Sequence, residues 1–308
     1  MTEKYEVVVV GGGAAGLSAA LVLGRSRRRT LVVDAGEPRN APSSHMQGYL
    51  SRDGMSPAEF LAVGRAEIAR YGVELVRDRV VDANRDTDFS VVLAGGRTVR
   101  ARRLVIATGL RDELPRVPGL AERFGRDVLH CPYCHGWEMR DLPTGVLATS
   151  PLSVHQALMV TQWSKDVRLF LHQVDEAELT DQDLRRLAAA GVAVVPGEVA
   201  GLVVTDDRLT GVRLSDGTVH DRAVLYAAPR AVPNNDLLVK LGADLHETPF
   251  GDYPVIDERG LTSVPGLWAA GNASGFTEQV VNAASRGYRA GVAINAELLM
   301  TDLDASAP

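Results

Sequence analysis

Cysteine is scarce in this chain: among 308 residues there are two, Cys131 and Cys134. With no second cysteine pair, a four-thiolate zinc site is excluded. Two cysteines also cannot build the disulfide framework of a small extracellular scaffold. An excess of positive charge is lacking as well; the formal net charge is −6, which disfavours a nucleic-acid partner. No apolar run approaches the roughly 20 residues of a membrane span. The start, MTEKYE, carries no apolar signal-peptide core. Repeats of solenoid period and low-complexity tracts are missing too. These absences lead us to expect a cytoplasmic protein with no membrane or nucleic-acid partner and no metal site, whose cysteines do redox work. What is present is ordinary for a globular chain of about two domains: 45% hydrophobic and 23% charged residues.

The two cysteines lie in HCPYCHGWE, His130 to Glu138. Two residues separate them, so their sulfurs can close a small disulfide ring that opens and closes as a two-electron device. His130 and His135 flank the pair. An imidazole, with an ordinary pKa of about 6.5, can carry a proton for a thiol near neutral pH. A metal site of two cysteines and two histidines, or a pair of inert buried thiols, would use the same residues. A flavin beside the pair would decide for redox.

Glu6 to Val10 reads as a buried parallel strand. GGGAAGLSAALVLG follows at once, with Gly11, Gly13 and Gly16 in G-x-G-x-x-G and Ala15 inside the turn. The first glycine permits the tight turn, the second admits a pyrophosphate to the backbone, and the third packs helix on strand. The helix start offers free N–H groups to phosphate. TLVV, Thr30 to Val33, is a second strand, and Asp34 ends it where a ribose hydroxyl would be bound. Arg25, Arg27, Arg28 and Arg29 between helix and strand read as a solvated helix end. Residues 36 to 54, rich in Pro, Ser, Asn and Gly, read as a long functional loop.

Ser56-Pro57-Ala58-Glu59 is a capping box opening a helix to about Tyr71. Short strands are expected at 73–76 and 79–81, a hairpin at 89–93 and 97–100 around Gly95-Gly96, and a buried strand at 103–107. That last strand ends in Ala107-Thr108-Gly109, a small-residue turn where a doubly wound sheet receives its ligand. The prolines of 114–119 mark a linker. A second α/β unit spans 144–242, with strands at 145–149, 167–171, 192–196 and 224–228 and helical spacing over 152–163. Gly271-Asn272 closes another strand. Residues 278–299 are helical, and the tail from Asp302 is expected to be disordered.

In this order the pieces resemble the low-molecular-weight thioredoxin reductases, a family of flavoproteins. The resemblance covers nearly the whole chain. It implies an α/β fold of two domains: a Rossmann-type FAD domain from residues 1–114 and 246–308, and a smaller NADPH-domain-like α/β domain, 115–245, inserted between them. It implies FAD held by the glycine turn, with Asp34 on the adenosine ribose and the backbone of Val81 at the adenine. Ala107, Thr108 and Gly109, the pair Gly271 and Asn272, and Gln279 with Val280 beside the ring system complete the site. Where the family has Gly-Asp, this chain has Gly271-Asn272. The family's second cysteine, here Cys134, contacts the flavin; the first, here Cys131, exchanges with substrate. The family's proton-handling aspartate directly follows the second cysteine, where this chain has His135; His130 stays a second candidate. A homodimer is implied by the resemblance alone.

One stretch departs from the family. Thioredoxin reductases carry a second glycine turn for NADPH, with arginines one strand later for its 2′-phosphate. Here Val146 to Ser153 reads VLATSPLS, and Leu171 to Glu176 reads LHQVDE. The turn has no glycine, and two acids stand where arginines are expected. That pattern resembles the dithiol oxidases of gliotoxin and holomycin pathways. Those enzymes close a disulfide in a small dithiol and pass its electrons through FAD to oxygen, releasing hydrogen peroxide. A reductase fed by atypically bound NADPH or by a ferredoxin, and a redox-sensing flavoprotein, are the alternatives.

Overall fold

The computed structural model describes residues 3–307. The chain divides into two compact units. One comprises the residues up to Ala41, Ser56–Arg111 and Ala231 onward; the other comprises Pro42–Met55 and Asp112–Arg230. The long loop expected over 36–54 is therefore shared between the units.

The first unit begins with β1 (Glu3–Val10), α1 (Ala14–Arg25) and β2 (Thr30–Asp34), then α2 (Pro57–Ala69), β3 (Glu74–Arg77), β4 (Val80–Arg85), β5 (Phe89–Leu93) and β6 (Thr98–Ile106). These strands form a sheet in the order β3-β2-β1-β6-β5-β4. Its β1, β2, β3 and β6 run parallel. Val7, Val8 and Val9 are completely buried because both faces of β1 are covered. Val8 and Val10 enter one apolar cluster with Leu31, Val33 and Leu104; Val7 and Val9 enter another with Leu17, Leu23 and Val105. A strand covered on both faces has to read as a continuous apolar run. Of the capping box expected on α2, the serine half is present: the Ser56 hydroxyl accepts from the N–H of Glu59 at 3.1 Å.

The chain then passes through β7 (Leu110–Glu113) into the second unit, with α3 (Leu120–Arg123), β8 (Val128–Leu129), α4 (Pro132–His135), β9 (Thr144–Leu147), α5 (Ser153–Val160), β10 (Val167–Phe170), α6 (Asp181–Ala189) and β11 (Ala193–Val195). After these come β12 (Val199–Thr205), β13 (Arg208–Leu214), β14 (Val219–Asp221) and β15 (Val224–Ala227). A five-stranded parallel sheet has the order β11-β10-β9-β15-β8, and β12-β13-β14 is a separate antiparallel meander. Buried Arg123 ties the meander down. It donates to Asp127 at 2.8 Å and to Asp207 at 2.7 Å, while Asp127 also accepts from the N–H of Leu209 at 2.9 Å.

The return segment carries β16 (Arg230–Pro233), α7 (Asp236–Lys240), the hairpin β17 (Leu245–Thr248) and β18 (Gly251–Pro254), β19 (Leu267–Ala269) and α8 (Val280–Ser306). β19 joins the first sheet parallel to β6.

Three expectations need correction. The two strands read at 97–100 and 103–107 are one strand, β6. Its first half pairs with β5 and its second half with β19, while β1 runs along its whole other edge. The tail is helical to Ser306: Asp302 takes Arg28 at 2.9 Å and Arg102 at 2.6 Å, which pins the last turns of α8. Arg28 is accordingly not solvated. It bridges Glu6 at 2.7 Å and donates to Asn295 at 2.9 Å.

Candidate functional site

In the first unit the glycine turn lies between β1 and α1, and each glycine has its own reason. Gly11 has φ +108°, and a Cβ there would sit 2.3 Å from the carbonyl oxygen of Ala107. A Cβ on Gly16 would sit 1.9 Å from the Gly11 carbonyl oxygen. Around Gly13 there is open space. Gly13 is the N-cap of α1 and no side chain caps the helix. Its first N–H groups, which no helical carbonyl can reach, are therefore open to an incoming anion. Asp34 is fixed beside this opening: one carboxylate oxygen accepts from Gly12 N–H at 3.2 Å and from Gly36 N–H at 3.1 Å, and the other holds Arg77 at 2.7 Å.

Of the other residues expected here, Ala107 lies against Gly11 and Gly271 against Ala15. Ala107 bonds through its N–H to Val10 at 2.8 Å, and the Thr108 hydroxyl donates to the Asn234 carbonyl at 2.7 Å. Gly109 has φ +68° with open space around it. Gly271, φ +67°, packs so closely that a Cβ would lie 2.8 Å from that of Ala15. Asn272 donates its side-chain N–H to the carbonyls of Gly275 and Phe276, each at 3.1 Å. Phe276 is stacked on Phe250, ring centroids 3.7 Å apart. Gln279 is the N-cap of α8 and Val280 its first residue. Val81 stands on β4, where the ladder to β5 is bulged between Val80 and Asp82; no bond to the glycine turn is seen. The bare backbone at Gly13, the uncapped helix start and the anchored carboxylate fit a dinucleotide such as FAD.

Sequence reading missed two glycines that bring this turn and α8 together. A Cβ on Gly287 would lie 1.9 Å from the carbonyl oxygen of Ala15, and one on Gly291 2.9 Å from that of Ala19. Their four-residue spacing on an alanine-rich helix was the available signal.

In the second unit Cys131 and Cys134 are joined in a disulfide, with Cα atoms 5.3 Å apart. Cys131 is the N-cap of the single turn α4, Pro132 opens it, and the N–H of Cys134 donates to the Cys131 carbonyl at 3.1 Å. His135 is half-buried at the end of that turn. Burial holds its imidazole below its ordinary pKa, opposed in part by the Glu138 carboxylate. It is thus neutral near pH 7 and able to accept a proton from a thiol. His130 is exposed, and its carbonyl accepts from the side-chain N–H of Gln156 at 2.6 Å. Gly136 lies against Trp163, which leaves 2.5 Å for a Cβ. Nothing in the sequence singled out Gln156 or Trp163. Among the described residues no cluster of His, Cys, Asp and Glu is placed to hold a metal ion.

The turn between β9 and α5, where the family has its second glycine motif, is closed on itself. The N–H of Thr149 donates to the buried Ser153 hydroxyl at 3.1 Å. The N–H groups of Ser153, Val154 and His155 donate to the carbonyls of Ser150, Pro151 and Leu152, at 2.9, 3.2 and 3.1 Å. Beyond β10, His172 has φ +53° and accepts through Nδ1 from Val199 N–H at 3.1 Å. Asp175 forms a capping box with Glu178 around a short 3₁₀ turn. None of these groups offers a cation to a phosphate.

A family model described as pyridine nucleotide-disulphide oxidoreductase matches residues 5–287, so the chain belongs to that family. Among its relatives, thioredoxin reductase sirT of Leptosphaeria maculans is 32% identical over 323 residues, covering 98% of this chain and 96% of the relative. Thioredoxin reductase tcpT of Claviceps purpurea is 32% identical over 314 residues, covering 96% and 94%. The crystal structure of HlmI matches with a TM-score of 0.94 at 49% identity, covering 99% of this chain and 96% of that one. The protein is therefore an FAD-dependent oxidoreductase with the thioredoxin reductase-like two-domain α/β fold, and its chemistry is that of dithiols and disulfides. No helix among the described residues is long and apolar enough to cross a membrane.

Proposed function

We propose that this protein oxidises a small-molecule dithiol to its intramolecular disulfide through Cys131, Cys134 and FAD, with oxygen as the final acceptor. The observation that supports this most is the self-bonded turn between β9 and α5. Hydride delivery from NADPH requires a place for the pyrophosphate, normally bare N–H groups at a helix start. Here those N–H groups are taken by Ser153 and by the carbonyls of Ser150, Pro151 and Leu152. The likeness of this pattern, and of the C-P-x-C-H centre, to the gliotoxin and holomycin dithiol oxidases supports the same direction.

The chain's own residues carry the thiol chemistry. A substrate thiol gives its proton to His135, and its thiolate attacks the sulfur of Cys131. The Cys131–Cys134 bond breaks, and Cys134 leaves as a thiolate that can take the proton from His135. The second substrate thiol, deprotonated in turn, attacks the substrate sulfur now bound to Cys131. Cys131 leaves, and the substrate departs as a disulfide. Two electrons and two protons have moved from substrate to the cysteine pair. What FAD supplies when bound is acceptance of those two electrons and their delivery, with two protons, to oxygen as hydrogen peroxide. The sum is one dithiol and one oxygen consumed for one disulfide and one peroxide. We place this reaction in the cytoplasm, where a catalytic disulfide is the usual kind. We place it in a homodimer, which sedimentation as a monomer across micromolar concentrations would reject.

The test is anaerobic mixing of the FAD-loaded protein with NADPH and, separately, with a small dithiol. Bleaching of the flavin by the dithiol alone, with peroxide appearing on admission of air, is the expected result. Rapid bleaching by micromolar NADPH would instead establish a reductase.

A further inference from the structure

Tyr133 lies between the two cysteines and is 74% exposed. The ring stands in water beside a reactive disulfide, at the edge of a cleft. One ring contact positions it. Tyr133 meets the edge of Trp163 at 5.9 Å between ring centroids, with the planes at 89°. Trp163 is in turn pressed on Gly136, and its backbone is held by Val160 at 2.9 Å and by Asp141 at 2.8 Å. One face of α5 and the turn after it completes the surroundings. His155, Leu158, Met159 and Gln162, spaced to share a helix face, join Tyr133 and Trp163 around an open cleft of about 590 Å³. That volume falls within the range of small-molecule sites, roughly 300–1,000 Å³.

The lining carries no Asp, Glu, Lys or Arg. A charged ligand would lose water there without gaining a counter-charge. A flat ring would gain the faces and edges of Tyr133 and Trp163, and the two hydrogen-bonding side chains, His155 and Gln162, would orient its polar groups. We infer that this cleft binds the non-reacting part of the dithiol, and that it selects an uncharged molecule carrying a flat ring next to its two thiols. The inference rests on the dithiol reading above and deepens it. Tyr133, Trp163 and His155 set specificity, and the cysteine pair beside them does the chemistry.

The experiment uses the FAD-loaded full chain without oxygen and follows flavin bleaching at increasing concentrations of three dithiols. One carries a ring, 1,2-benzenedimethanethiol; one is neutral without a ring, dithiothreitol; one is doubly charged, dimercaptosuccinate. Because thiol reactivity differs among them, the quantity read is the ratio of half-saturating concentrations in each variant relative to the parent protein. An aromatic contact of this kind changes that ratio by up to about tenfold. Tyr133→Ala and, on α5 and outside the C-x-x-C, His155→Ala should each erase most of the preference for the ring, and Tyr133→Phe should restore it. Dimercaptosuccinate should need the highest concentration of the three. A ratio unmoved in both alanine variants, or a charged dithiol preferred by the parent protein, would overturn the inference while leaving dithiol oxidation standing. Bleaching by none of the three would instead refute dithiol oxidation itself, and this selectivity with it.

Discussion

Asn272 offers the sharpest test of the cofactor site. Related flavoproteins carry an aspartate at its position, so Asn272→Asp looks like a repair. The geometry says the opposite. Both neighbours of the Asn272 side-chain nitrogen are backbone carbonyls, of Gly275 and Phe276, each at 3.1 Å. Two acceptors leave no doubt which end of the amide faces them. A carboxylate there loses two hydrogen bonds at about 1 kcal/mol each and sets negative oxygen against two carbonyl oxygens, which costs about 1–3 kcal/mol more. The total is about 3–5 kcal/mol, borne by the loop that follows Gly271. If FAD binding requires that loop in place, the dissociation constant rises by at least about a hundredfold at 1.4 kcal/mol per factor of ten. The introduced carboxyl also has its pKa raised by this surrounding. Below that pKa it is protonated and donates to one carbonyl, so the defect shrinks as pH falls. FAD release, read from the fluorescence of the freed flavin between pH 8 and pH 5, measures both effects. Equal retention of FAD by N272D and the parent protein at pH 8 would refute the reasoning.

The cysteines should be unequal: with Cys134→Ser, the Cys131 thiolate should open the disulfide of an acyclic monothiol, releasing one half as thiol and keeping the other as a mixed disulfide visible by mass spectrometry, and an adduct formed only on Cys134 of Cys131→Ser would reverse their roles. His135→Ala should lower dithiol turnover about 10²–10⁴-fold; an unchanged rate would move the proton to His130 or solvent. Because burial depresses the His135 pKa and Glu138 partly restores it, the acidic limb of the pH–rate profile should lie below the ordinary value of about 6.5. Glu138→Gln should move it lower still; a shift upward would refute this. Arg123→Ala leaves half-buried Asp127 without its charged partner, so the second unit should lose about 1–3 kcal/mol, read as an earlier thermal transition at unchanged cysteine reactivity.

The parts legible in the sequence were those whose cause is local. A glycine turn, an N-cap serine and a C-x-x-C are each written in consecutive residues, and their physics needs no distant partner. What escaped reading depends on residues far apart. The arginines of β6 broke its apolar pattern into two strands, because Arg102 and Arg103 find their carboxylates nearly 200 residues away, on Asp302 and Glu297. The tail reads as polar and loose for the same reason. The β12–β13 hairpin was missed on different grounds. It turns at Asp206-Asp207, with φ +49° and +57°, in a conformation that usually advertises itself with glycine. Here Asp207 is held in it by Arg123 and Arg126. The cleft beside the disulfide was invisible because its walls are recruited from α4 and α5, which no motif links.

The self-bonded turn before α5 also says something about reversibility. Of its four committed N–H groups, that of Thr149 answers to a side chain, Ser153. The other three answer to backbone carbonyls, which no change of side chain removes. Ser153→Gly would release a single donor and leave the rest engaged. Reopening the turn demands a new backbone path through Pro151, and offering a phosphate a cation demands replacing His172 in its left-handed conformation as well. Three of the four bonds that close this turn are thus written into its main chain, where stepwise substitution has little purchase.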